Sequence, residues 1–123
     1  MTLSAFALIL TGVLLNAVAQ LALKASVSDM GAIQLSVDNI MPVTLRLAGE
    51  PWLWLGLFLY VISVTVWILA LSRVDVSIAY PMLSIGYVVN AFAAWALFGE
   101  MLSTGRIAGI GIILIGVYVL ARS

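Results

Sequence analysis

IAYPMLSIGYVVNAFAAW, residues 78–95, is long enough to cross a bilayer and carries no charge. A hydrocarbon core of roughly 30 Å calls for about 20 apolar residues in helical conformation. The charge-free run that contains this stretch extends from Val76 to Phe98, so it predicts a transmembrane helix. Yet it also holds Tyr80, Pro81, Ser84, Tyr87 and Asn90. Lipid has no use for such groups, and they are the first pointer to function.

The remainder of the chain has the same character. Of its 123 residues 65% are hydrophobic and only 8% are charged, with a mean hydropathy of +1.27. A soluble domain of this size could not cover so much apolar surface, so the class is integral membrane protein. Five basic and five acidic residues cancel, and there is no His. No basic stripe exists to meet phosphates, which argues against nucleic acid as a partner. Without Cys there is no disulfide, thiolate chemistry or zinc cluster, and neither a cofactor nor a metal is expected.

Further charge-free runs fall at Leu3–Leu23, Trp52–Ser72 and Ile107–Ala121. The last is short, but Arg106 and Arg122 flank it and can snorkel outward to extend its reach. The expected fold is all-α, a single four-helix membrane domain with helices at about 3–23, 52–72, 76–98 and 105–121. Ala17-Val18-Ala19 resembles a signal cleavage site. No Lys or Arg precedes the first run, however, and it is longer than a signal h-region, so it is read as a retained span. Lys and Arg divide as Arg73 and Arg122 on one side against Lys24, Arg46 and Arg106 on the other. That split sets no orientation and permits insertion both ways.

The one sizeable connection lies between the first two spans. Met30, Ile33, Val37, Ile40 and Met41 recur there at helical spacing, with Asp29, Gln34 and Asp38 between them and Pro42 interrupting. Either an amphipathic helix on the membrane surface or a solvated loop fits residues 25–50. The other connections, Arg73–Asp75 and Gly99–Gly105, are tight, so the last three spans are antiparallel neighbours.

No Asp, Glu, Lys, Arg or His falls inside a span, although a proton-coupled transporter commonly keeps an ionisable group there. The polar content is neutral and ordered by helical spacing. Gly12, Asn16 and Gln20 share one face of the first helix, with Lys24 continuing it at the membrane boundary. Gly56, Tyr60, Ser63 and Trp67 share a face of the second, and Ser77, Tyr80, Ser84, Tyr87 and Ala91 a face of the third, with Asn90 at its rim. Single Ser residues are read as packing groups that hydrogen-bond helix to helix, at about 0.6 to 2 kcal/mol each. Asn16, Gln20 and the tyrosines together are read as the lining of a cavity. Pro81 removes the partner of the Ser77 carbonyl and bends the third helix beside Tyr80. Freed backbone at membrane depth is tolerated where it is buried in protein or lines a wet cavity. In the fourth helix Gly105, Gly109 and Gly116, with Gly111 nearby, form a side with little side chain; Gly105-x-x-x-Gly109 has the spacing of a dimerisation face.

Four short helices, a Lys ending the first, IAY opening the third and glycines seven apart in the fourth (Gly109, Gly116) resemble the small multidrug resistance family of the drug–metabolite transporter superfamily. Those exporters carry a membrane-embedded Glu eight residues before the Lys, where both proton and cationic drug bind; here that position is Asn16. An aromatic expected three residues after the Tyr is Leu83. The resemblance therefore argues against drug–proton antiport. Within the same superfamily AQLALK (19–24), WLGLFLYVISVTVW (54–67) and IAYPMLSIGYV (78–88) are similar to the two small subunits that flip aminoarabinose-phosphoundecaprenol for lipid A modification.

Three functions of different class remain: a flippase for a polyprenyl-phosphate-linked sugar, an exporter of small cationic compounds or metabolites, and a non-transporting subunit of a glycolipid-synthesis complex. The first is the one the resemblance implies, in a bacterial inner membrane, with no enzymatic activity of its own. The expected partners are membrane lipid, the lipid-linked sugar, and either a second copy or a homologous small subunit. Asn16, Gln20, Lys24, Tyr60, Ser63, Trp67, Tyr80, Ser84 and Tyr87 are the expected substrate-binding residues. Lys24 is placed at the phosphate, with Arg46 a weaker second choice. With no ATP site and no membrane carboxylate, movement is expected down a gradient maintained by consumption of the lipid on the far side.

Overall fold

The computed structural model describes residues 2–28, 30 and 32–123. Among them the helices are α1 (Leu3–Val27), α2 (Ile40–Ala48), α3 (Pro51–Leu71), α4 (Val76–Met82), α5 (Ser84–Phe98) and α6 (Thr104–Arg122). α1, α3, the pair α4–α5 and α6 are long and apolar enough to cross a membrane, so the chain is a multi-pass membrane protein with four spans.

Local chemistry sets the ends of these helices. Thr2 caps α1 by accepting the Ala5 amide at 3.2 Å, and Ser103 caps α6 by accepting that of Arg106 at 3.2 Å. α5 stops at Gly99, whose φ of 69° is the left-handed conformation that glycine adopts without a steric cost. Pro81 divides the third span. The break comes at Leu83, whose amide turns to the Tyr80 carbonyl at 3.0 Å before α5 begins at Ser84.

In the connection before α3 both expected alternatives appear in part: residues 32–39 form no helix, and a short helix follows at Ile40–Ala48, with Pro42 inside its first turn. There a proline is tolerated because its missing N–H would have had no intrahelical acceptor. Asn39 organises the approach: its Oδ1 accepts the Ser36 amide at 2.7 Å, and its Nδ2 donates to the Gln34 carbonyl at 2.6 Å. Asp29, the first acidic residue of the expected stretch, lies outside the described residues. The Trp54 indole N–H donates to the Ala48 carbonyl at 2.7 Å and ties the end of α2 to the start of α3.

α1 is the axis of the fold, packed mainly against α3 and also against α5. Lipid tails are as apolar as leucine, so this association rests on close packing and not on escape from water. Three glycines set how close the backbones come. A Cβ on Gly56 would lie 2.9 Å from Leu23 Cγ and 3.0 Å from the Ala19 carbonyl oxygen; one on Gly86 would lie 3.2 Å from Val13 Cγ1; one on Gly12 would lie 3.6 Å from the Ser63 carbonyl oxygen. α1 meets them with Val13, Ala17, Ala19 and Ala22, all buried.

Packing is uneven along the membrane normal. The core of Ile9, Val13, Ala70, Ala79 and Met82, supported by Phe6, Trp67 and Val117, sits toward the end where Arg73 and Arg122 lie. Hollows lie toward the Lys24 end, and one of about 320 Å³, lined by Thr2, Leu3, Phe6 and Ala121, lies at the other end. α6 joins through α4 and α5 and contributes no fully buried residue.

Replacing Gly56 by Val is expected to destabilise the protein by about 1–3 kcal/mol, the usual cost of an overpacked contact. A Cβ on Gly111 would meet nothing within 4 Å, so Gly111→Ala should be neutral or stabilising by about 0.5–1 kcal/mol. Unfolding titrations in detergent micelles distinguish the two.

Candidate functional site

The polar residues of the spans do not form one continuous surface. Tyr60, Ser63, Trp67 and Tyr80 come together with Gly12, Val64 and Leu83 around a hollow of about 290 Å³ between α1, α3 and α4. Gln20 and Lys24 line a second hollow of about 410 Å³ with Leu23, Ser26, Val27, Leu47 and Leu53, at the membrane boundary and beneath α2. The stripe along α1 is thus divided, with Gly12 in the first hollow, Gln20 and Lys24 in the second, and half-buried Asn16 between them in sequence. Ser84 is half-buried and Tyr87 exposed, and neither lines either hollow. The reason lies at Leu83: the break there resets the helix, and Gly86 is the residue of α5 that faces α1.

The hydroxyls are spent locally. Ser63 is only 3% exposed, and its Oγ donates to the Tyr60 carbonyl at 2.8 Å. Ser26 and Thr65 likewise donate to carbonyls of their own helices, at 2.6 and 3.0 Å. These serines therefore do not join helix to helix. A hydroxyl bonded to its own i−3 or i−4 carbonyl is already satisfied in lipid, and that local bond competes with longer-range ones. The free polar surface of the first hollow comes from the tyrosines, with Tyr60 42% and Tyr80 62% exposed.

One feature escaped the pattern of spacing. Lys24 Nζ lies 3.9 Å from Glu100 Oε2, which brings the end of α1 to the connection between α5 and α6. An exposed pair of this kind is worth about 0.2–1 kcal/mol, so a stronger ligand separates it at little cost. Asn90, at the rim of the expected stripe, has a buried side-chain oxygen, the one buried side-chain polar atom without a hydrogen-bond partner among the described residues. No group of three His, Cys, Asp or Glu side chains that could hold a metal ion occurs among the described residues. Arg46, on α2, is exposed.

At the opposite end Arg122 donates to the Tyr118 hydroxyl at 3.3 Å, with its guanidinium 5.6 Å from that ring's centroid. This pair has the character of an interfacial anchor, aromatic body in the headgroup layer and charge outward.

No protein-family model and no solved structure matches the chain. Curated relatives do. The chain is 34% identical over 115 residues to a probable 4-amino-4-deoxy-L-arabinose-phosphoundecaprenol flippase subunit ArnE of Pseudomonas fluorescens (strain Pf0-1), covering 94% of this chain and 95% of the relative. It is 32% identical, with the same coverage, to the protein of that name from Pseudomonas savastanoi pv. phaseolicola. It is also 38% identical over 112 residues to a probable subunit ArnF of the same flippase from Enterobacter sp. (strain 638), covering 87% of this chain and 86% of the relative. Four apolar spans and similarity along nearly the whole length agree: the chain belongs to the family of small aminoarabinose-phosphoundecaprenol flippase subunits.

Proposed function

We propose that this protein is a subunit of a flippase that moves a polyprenyl-phosphate-linked amino sugar across the bacterial inner membrane. The observation that carries this reading is similarity along nearly the whole length of relatives named as flippase subunits for such a lipid. The chemistry of the spans supports it. A charge at the bilayer centre costs at least ~2.5 kcal/mol. Neutral Gln20, Tyr60 and Tyr80 in the hollows, with Asn16 between them, can replace head-group hydration without that cost. Hollows of about 290 and 410 Å³ suit a sugar phosphate, and the long apolar tail stays in lipid. Lys24, exposed at the mouth of the second hollow, meets the phosphate as a mobile point charge. The break at Leu83 beside Tyr80 gives the head group a bent wall to pass.

The working unit is a pair, with a second copy or with a homologous small subunit. α6 supports this: Cβ atoms on Gly109 and Gly116 would meet nothing within 4 Å, and Gly116 is exposed, while Gly109 borders a hollow between α5 and α6. Small residues let two helix backbones approach closely in a membrane.

In reconstituted vesicles with an aminoarabinose-phosphoundecaprenol, Lys24→Gln should slow transbilayer movement by about tenfold, the loss of roughly one charge-assisted contact. Arg122→Gln, at the far end, should leave it close to wild type. Equal effects remove Lys24 from the site; no acceleration by the wild type with or without its companion chain, together with export of quaternary ammonium compounds, refutes the flippase reading.

Gly109→Leu combined with Gly116→Leu should abolish crosslinking between copies or companion chains in membranes while leaving the monomer folded. Unchanged crosslinking would place the interface elsewhere.

A further inference from the structure

We propose that Glu100 reads the amino group of the transported head group while Lys24 holds its phosphate, so that two charges facing each other here are matched to the two charges of an amino sugar phosphate. This deepens the flippase reading and rests on it. The pair is loose: 3.9 Å separates Lys24 Nζ from Glu100 Oε2, and the side chains are 52% and 43% exposed. A well-formed N–H···O bond is shorter, at about 2.7–3.2 Å. Each partner faces its own hollow. Lys24 lines the one between α1, α2 and α3. Glu100 lines another of about 300 Å³ between α5 and α6, with Ala91, Ala94, Met101, Arg106 and Gly109. The ion pair is therefore the bridge between two adjoining spaces at one membrane boundary, Lys24 bordering one, and Glu100, with the Arg106 guanidinium bonded to the Met101 carbonyl, the other.

Glu100 is also held in place. Gly99 in the left-handed conformation turns the chain directly before it. After it, the Arg106 guanidinium donates to the Met101 carbonyl at 2.6 Å, and Ser103 caps α6. That bond commits part of Arg106 to the loop. Among the described residues Asp38 and Glu50 are the other acids toward this end, and neither lines either hollow.

The chemistry supplies a direction for selectivity. A phosphodiester carries one negative charge and a protonated amine one positive charge. With both present, Lys24 and Glu100 each exchange one partner for another. With a hydroxyl in place of the amine, Glu100 loses its partner and faces a phosphate, a repulsive element that discriminates against the wrong lipid.

The test compares aminoarabinose-phosphoundecaprenol with the matched arabinose lipid in vesicles carrying the protein and its companion chain. Membrane-impermeant periodate, which cleaves the vicinal hydroxyls of both sugars, reads out accessibility. The wild type should move the amino lipid at least about tenfold faster, the discrimination expected from one charge-assisted contact. Glu100→Gln should bring the ratio to within about twofold of unity, Glu100→Asp should restore part of it, and Glu50→Gln should keep the wild-type ratio. A wild type that moves the amino lipid with Glu100→Gln keeping the preference overturns the role of Glu100 and leaves the flippase reading standing. A wild type that moves neither lipid overturns both.

Discussion

Everything in this fold depends on how closely α1 approaches its neighbours. In lipid there is no reward for removing apolar side chains from water, so helices are held by dispersion contact over matched surfaces. Gly56 and Gly86 let α3 and α5 come up against Ala19, Leu23 and Val13 of α1, where even one methyl group would collide or crowd. That contact fixes α1 as the centre. It places Tyr60 and Tyr80 on one side of it and brings Lys24 to the same boundary as Glu100.

The same packing places the buried core toward one end and more of the hollows toward the other. Ile9, Val13, Ala70, Ala79 and Met82 fill the space toward the Arg73 and Arg122 end. Toward Lys24 the buried residues of α1 become Ala17, Ala19, Ala22 and Ser26, small side chains that fill little space. Hollows form there, bordered by the charged side chains of Lys24, Glu100 and Arg106. α6 contributes no fully buried residue to this core and touches it through Val117 and Ala121, and Cβ atoms on its Gly109, Gly111 and Gly116 would meet nothing within 4 Å.

The spans were legible in the sequence because a charge-free run of membrane length has few other stable conformations. The site was legible in part. Helical spacing groups Tyr60, Ser63 and Trp67 as the structure does, because α3 is unbroken. It does not carry through to Ser84 and Tyr87, because Pro81 resets the helix at Leu83 and a face drawn through a break does not continue. Ser63 lines the hollow, but its hydroxyl bonds within its own helix, which spacing cannot foresee. The helix before α3 was displaced because a proline reads as an interruption anywhere except in a first turn. The Lys24–Glu100 pair left no trace, since residues on different connections meet only through the packing of entire spans.

The central claim is that the polar interior of this small protein receives a polyprenyl-phosphate amino sugar. Mass spectrometry of the lipid retained by the protein, purified gently from its own membrane with whatever chain accompanies it, tests it most directly. The account predicts a polyprenyl phosphate bearing an amino sugar, enriched over its share of the membrane lipid and depleted in the Lys24→Gln variant. Retention of bulk phospholipid alone, with no polyprenyl phosphate in either preparation, would contradict it.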